Sequence, residues 1–267
     1  MKRMPAVAGS FYPSDPVVLR QQVEGYLDPG ARKQEAIGLV SPHAGFMYSG
    51  AVAGATFSAV ELPDVFIILC PNHRGWGAPI AIMSRGEWVT PLGEVAIDSD
   101  LAESLKKSST LLKEDDLAHR AEHSLEVQLP FLQVLKDRFR FVPICVAVHR
   151  LESLVSLGHS IAEVVKASGR KTLLVASSDM THYEPQDVTE KKDAMAIEQI
   201  EKLSEEGLFD VVARREISMC GVAPAIAVMT AAKDLGATRG VLVKYATSGD
   251  VTGDKREVVG YAGIIML

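Results

Sequence analysis

Residues 65–70, VFIILC, are apolar at every position, and five longer runs are largely apolar: EAIGLVS (35–41), FRFVPICVAV (139–148), KTLLVASS (171–178), RGVLVKYAT (239–247) and VVGYAGIIML (258–267). APIAIM (78–83) and EVAID (94–98) are weaker versions. A strand that is apolar throughout, rather than at alternate positions, is covered on both faces. Helical patterns separate the runs: SGAVAGATFSAVEL (49–62), SLEVQLPFLQVLKDRF (124–139), LESLVSLGHSIAEVVKA (151–167), EKKDAMAIEQIEKL (190–203) and GVAPAIAVMTAAKDLG (221–236). This alternation predicts an α/β fold of three layers, α/β/α, around a mixed, mostly parallel central sheet. The last two strands lack room for a helix between them and predict an antiparallel hairpin through SGDVTGD. No repeat or linker divides the chain, so residues 1–267 read as one α/β domain.

Composition narrows the function classes. The formal net charge is −6 and no Lys/Arg cluster occurs, so nucleic acid has no electrostatic footprint here. Cys70, Cys145 and Cys220 are three widely spaced cysteines, which fits a reducing compartment better than a disulfide framework. The first residues, MKRMPAVAGSFYPSD, lack the unbroken apolar stretch of a signal peptide. No apolar run approaches the ~18 residues of a membrane span. A cytoplasmic protein that binds neither membrane nor nucleic acid is expected.

In open α/β sheets, ligands gather outside the carboxyl ends of the strands. EAIGLVS is followed by Pro42-His43-Ala44-Gly45, VFIILC by Pro71-Asn72-His73-Arg74-Gly75, and KTLLVASS by Asp179-Met180-Thr181-His182. Any one loop histidine is ordinarily solvated; three at equivalent strand ends predict a shared site. Two histidines and a carboxylate with open positions are the ligand set of non-haem Fe(II) oxygenases. By this logic His43, His73 and Asp179 would bind metal, and His182 would serve as acid or base.

Other motifs compete for attention. Cys70 and His73 have the spacing of a zinc half-site, but Cys70 closes an apolar strand and reads as core. HRAEH (119–123) matches the inverted zincin H-x-x-E-H, which needs one helix through both histidines. Here the helical pattern starts at Ser124, so the pentapeptide straddles a boundary and His119 and His123 diverge. His123 and Glu126 stand at a helix N-terminus, where polar groups often face a site; the plainer reading of Glu122 and Glu126 is first-turn charges complementing the helix dipole. GHSIA (158–162) lies inside a helical pattern, so Ser160 is no nucleophile elbow. Cys145 reads as a buried strand residue, and Cys220 as a thiol whose acidity a helix N-terminus would raise.

PAVAGSFYP, SPHAGFMYSG, LCPNHRG, EHSLEVQLPFL, SSDMTHY and MCGVAP, in this order, resemble the Memo family (mediator of ErbB2-driven cell motility) over nearly the whole chain. The resemblance implies a fold related to class III extradiol dioxygenases, with a cleft at the strand ends. It implies His43, His73 and Cys220 as ligands of one divalent metal, Fe2+ first, with Zn2+ or Cu as alternatives. It sets His182 and Asp179 as catalytic groups, and Phe11 and His123 as pocket lining, while Arg74 is an added candidate donor to substrate. A thiolate in place of a carboxylate shifts metal preference, so ring cleavage does not follow from fold kinship. The leading expectation is an oxidative metalloenzyme acting on a small molecule. The alternatives are a module binding a phosphorylated or anionic peptide or metabolite, and a metal-dependent hydrolase. Prokaryotic members also imply a pathway link to a radical SAM protein.

Overall fold

All seven residues of Val65–Pro71 are buried, as an all-apolar strand requires when helices cover both faces of a sheet. In the computed structural model, which describes residues 1–267, the elements run in chain order as follows. The first part holds β1 (Lys2–Arg3), α1 (Pro16–Tyr26), β2 (Gly38–Ser41), α2 (Phe46–Ser58), β3 (Val65–Pro71), β4 (Ile80–Ile82), β5 (Glu87–Thr90), β6 (Gly93–Ala96) and α3 (Ser99–Ser108). The middle holds β7 (Lys113–Glu114), α4 (Leu117–Arg120), α5 (Leu129–Leu135), β8 (Arg140–Val146), α6 (Leu151–Ser168) and β9 (Thr172–Ser177). The last part holds β10 (His182–Glu184), α7 (Gln186–Glu201), α8 (Glu205–Arg214), α9 (Val222–Asp234), β11 (Gly240–Thr247), α10 (Ser248–Thr252) and β12 (Val258–Met266).

The main sheet has nine strands in the order β10-β12-β2-β9-β3-β8-β4-β7, with β11 on the other edge of β12. Its centre, β2-β9-β3-β8, is parallel, whereas β12 runs antiparallel to β2 and β4 antiparallel to β8. This is the mixed, mostly parallel sheet of a three-layer α/β fold. Helix α9 packs on β2, β3 and β9 and against α6, while α2 packs on β2, β11 and β12. The parallel register pairs Ser41 with Ser177 and Leu69 with Ala176. The carboxyl ends of β2, β9 and β3 therefore open at one edge, as the strand-end reading requires.

Two local expectations need correction. The β11–β12 pair is antiparallel as predicted, but its connection holds the short helix α10, closed by a reciprocal cap between Thr247 and Asp250. The single helix read over 124–139 is a 3-10 turn at Glu126–Gln128 followed by α5. Pro130 stands in the first turn of α5, where its missing N–H costs nothing, so it starts the helix rather than distorting it. Helices α1, α3 and α8 were not foreseen, although Asp15 before Pro16 is a start signal and accepts from Val17 N at 2.9 Å.

Strands β1, β5 and β6 form a small second sheet that carries a buried polar cluster. Arg3 lies 4.3 Å over the Trp88 ring, and the His119 ring meets Trp88 edge-on at 5.7 Å. Neither ring nitrogen of His119 has a hydrogen-bond partner. Burial, and then the Arg3 charge, push its imidazole down to about 4. A histidine depressed in the folded state and near 6.5 in the unfolded one adds nothing above pH 6.5. It destabilises the fold as pH falls below that value, an effect complete near pH 4. At pH 5 this amounts to about 2 kcal/mol. His119→Met is expected to remove that share: the stability lost between pH 7 and pH 5, measured by urea unfolding, shrinks by about 2 kcal/mol relative to the parent. Equal losses in the two proteins would refute the assignment.

Candidate metal centre and its cleft

His43 follows the end of β2 by two residues, His73 follows β3 by two, and Asp179 follows β9 by two. His123 enters from the turn between α4 and the 3-10 segment. One ring nitrogen from each of His43, His73 and His123 lies within 4.8 Å of the other two. His73 and His123 stack with ring centroids 4.8 Å apart, and Phe11 closes on His123 at 4.7 Å.

The hydrogen bonds fix which nitrogens are free. Ser177 Oγ donates its only proton to Ser124 O at 2.6 Å and accepts from Gln128 Nε2 at 2.9 Å. Its contact with His43 Nδ1 at 2.9 Å must therefore be donated by the imidazole. That tautomer leaves the lone pair on His43 Nε2. His73 Nδ1 donates to Glu122 Oε1 at 2.8 Å, which likewise leaves Nε2 as the free ligand atom. Glu122 also accepts from His73 N at 2.6 Å and from Ser124 Oγ at 2.7 Å. Burial pushes its carboxyl up, but the bonds from His73 and Ser124 outweigh burial and hold it at about 2. Burial and the proximity of His73 hold the His43 imidazole well below its usual range. His123 is pushed down to about 4 by burial and by His43. Unprotonated imidazoles are the form that binds metal.

Cys220, which neither lines the cleft nor belongs to the histidine cluster, approaches His43 from the residue before the Gly221 N-cap of α9. Its Sγ is 3.2 Å from His43 Nε2 and accepts from Asp179 N at 3.3 Å. A side chain at Gly221 would run into Ser177 O and Ser178, so glycine lets the cysteine approach the end of β9. Cys220 was expected to be an acidified thiol. Instead burial, and then the Asp179 charge, push the thiol up, because together they outweigh the hydrogen bonds from the Asp179 backbone, Ser178 and its own backbone.

Asp179 accepts from His43 N at 2.7 Å, and its other oxygen is 3.9 Å from His43 Nε2; burial raises its carboxyl. His182 donates from Nδ1 to Ser218 O at 3.0 Å, which makes Nε2 its basic atom. Phe11, His43, His73, His123, Asp179 and His182 all line one cleft of about 770 Å³. Arg74 does not. Asn72 accepts from Gly75 N at 2.8 Å and donates to Trp76 O at 2.8 Å, arching the loop outward. Arg74 is exposed and reaches Ala121 O at 3.4 Å.

The remaining sequence motifs fall where their context placed them. Cys70 and Cys145 are fully buried strand residues, and Ser160 lies inside α6. In HRAEH, His119 packs on Trp88 while His123 enters the cleft, so the two histidines diverge. Glu122 and Glu126 are buried acceptors rather than first-turn charges complementing a helix dipole; Glu126 pairs with Arg3. Ser177, Gln128 and Glu122, which orient the histidines, were missed as site residues. Another cavity, of about 640 Å³, sits at the opposite end of the strands around Arg138, Arg140, Arg170 and Lys171. Those cations follow the C-termini of α5 and α6 and complement the helix dipoles there.

A family model described as Memo-like protein matches residues 3–265. A MEMO1 family protein of Methanopyrus kandleri is 46% identical over 279 aligned residues, covering 99% of each chain. Another, from Methanothermobacter thermautotrophicus, is 42% identical and covers 98% of this chain and 99% of its own. Among solved structures, an uncharacterized protein of Escherichia coli K12 superposes with a TM-score of 0.58. It covers 86% of this chain and 99% of its own at 9% identity, a likeness of fold alone. No helix is long and apolar enough to cross a membrane.

Proposed function

The chain belongs to the Memo-like protein family, and from that premise we propose that it is an oxidative metalloenzyme working in the strand-end cleft on a small molecule. The observation that carries this reading is the trio of histidines, with the lone pairs of His43 and His73 both set on Nε2 by hydrogen bonds to the opposite nitrogen. A donor set of neutral imidazoles beside a thiol fits a borderline divalent metal, Fe2+ first, then Zn2+ or Cu. His43 and His73 are the fixed ligands of this reading. His123 joins them by mutual distance and Cys220 by its contact with His43.

Such a metal would supply Lewis-acid activation of a substrate oxygen and, for iron or copper, access to redox chemistry. The chain's own groups do the rest. His182, fixed through Nδ1, offers Nε2 to take up a proton from a bound hydroxyl. Asp179 holds the His43 backbone in place, and Phe11 covers His123 and limits water there.

Elemental analysis tests the reading. Protein purified without added metal is expected to hold close to one equivalent of iron, zinc or copper, and His43→Ala and His73→Ala to lose it. Cys220→Ser and His123→Ala identify the third ligand: the variant that loses metal supplies it. Metal content unchanged in all four variants would sink the assignment. Oxygen uptake with a panel of catechols, with and without added Fe2+, then tests the oxidative part.

A further inference from the structure

The wall above the histidines has a one-sided charge. No lysine or arginine lines the cleft, whereas Asp254 and Glu257 do, on the connection between α10 and β12. Asp254 is held by Arg256, which donates from Nε at 3.0 Å and Nη2 at 2.7 Å. Glu257 has no ion-pair partner, and Arg256 beside it offsets only part of its charge from outside the cleft, so the charged side chains that line this wall are acidic. Arg74, next to His73, does not line the cleft and reaches Ala121 O instead.

Aromatic rings supply much of the rest of the wall. Phe11, Tyr48, Tyr183 and Tyr261 line the same cleft, on four separate segments of the chain. Tyr183 is 73% exposed and holds a left-handed backbone, φ 59°, which is uncommon outside glycine. Such a conformation persists only where its surroundings impose it, and it sets the ring at the wall of the cleft. Aromatic faces attract an ammonium group and give nothing comparable to an anion. A phosphorylated or carboxylate ligand would meet carboxylates and ring faces with no cationic side chain to receive it.

We propose that the cleft takes an amine-bearing aromatic ligand, its ammonium group received by Glu257 and the tyrosine wall, and discriminates against phosphorylated and carboxylate ligands. This names the substrate class of the site and rests on the reading of the cleft as a substrate site, though not on which metal sits there. With a metal present, the polarity along the cleft would run from cation at the histidines to anion at the rim. A ligand matched to it carries oxygen donors at one end and an amine at the other.

The test is calorimetric titration of the full-length chain with phenethylamine, 3-phenylpropionate and phenyl phosphate, as purified and after chelation. The chelated protein matters most, because a bound metal would itself attract carboxylate and phosphate. There phenethylamine is expected to bind at least about tenfold more tightly than either anion. Glu257→Lys, at an exposed loop position, should bring the amine within about threefold of the anions while leaving the melting temperature unchanged. Raising the salt concentration should narrow the preference. Anions binding as tightly as the amine, no saturable binding of any probe, or an amine affinity indifferent to Glu257→Lys would each overturn the proposal. Metal analysis of the same samples keeps the two readings apart. Loss of amine preference with metal content intact overturns this inference alone, and absent metal with the preference intact overturns only the metalloenzyme.

Discussion

Glu126→Ala is expected to lower the unfolding free energy by about 3–5 kcal/mol, the usual consequence of removing one partner from a buried charge pair. Glu126 is fully buried, and its carboxylate pairs with Arg3 and accepts from Tyr12 Oη. It also accepts from the backbone N–H groups of Ala6 at 2.7 Å and Val7 at 3.1 Å. Alanine would leave four donors without that acceptor, one of them the guanidinium of the buried Arg3. Arg3→Met should cost less, because Glu126 keeps its three uncharged donors. The loss also reaches the site. Glu126 fastens the segment from Ala6 to Tyr12, which carries Phe11 against His123. Urea unfolding of both variants measures the difference. A Glu126→Ala loss below about 1 kcal/mol, the range of an exposed pair, would show that the network tolerates its own removal.

Glu122→Gln is expected to weaken metal binding by about 10–100-fold, the range for partners that orient metal-bound histidines. Glu122 holds His73 at both its backbone N–H and Nδ1. The amide can keep one of these bonds but not the negative charge that makes the imidazole a stronger donor. Competition with a chromophoric chelator, using Zn2+ as the probe in chelated protein, gives the affinity. An affinity unchanged within about twofold would mean either that His73 does not bind the metal or that the charge of Glu122 is not felt there. His73→Ala in the same assay decides between the two.

How much of this was legible beforehand differs between layers of structure. The six strong apolar runs each became a strand, because a run buried on both faces leaves few alternatives. Helices α1, α3 and α8 escaped notice because their buried faces are narrow, only Leu208 being buried in α8. The site divided in the same way. His43, His73 and Asp179 were visible since each stands two residues beyond a strand, and local sequence marks where a strand stops. His182 was placed in a loop, and it stands at the start of β10, beside Thr181, whose N–H is held by the buried Asp193 at 2.9 Å. Glu122 read as a first-turn helix charge, since nothing near it in sequence announces a histidine 49 residues earlier.

The sequence by itself determined the layered sheet, the family and the histidines at the strand ends, because apolar periodicity and chain punctuation are local properties. The family resemblance named His123 and Cys220 for the same pocket, but only the tertiary structure decided how these groups meet. His123 joined the cluster through a turn that no periodicity marks, and Cys220 came alongside His43 from 177 residues away because Gly221 lets the chain press against β9. The free nitrogens of His43 and His73 were likewise set by Ser177 and Glu122, contacts that exist only once β2, β9 and β3 lie side by side. Where a strand ends is written in its neighbours along the chain. What its last side chain touches depends on strand order and loop path, which are settled by packing over the whole molecule.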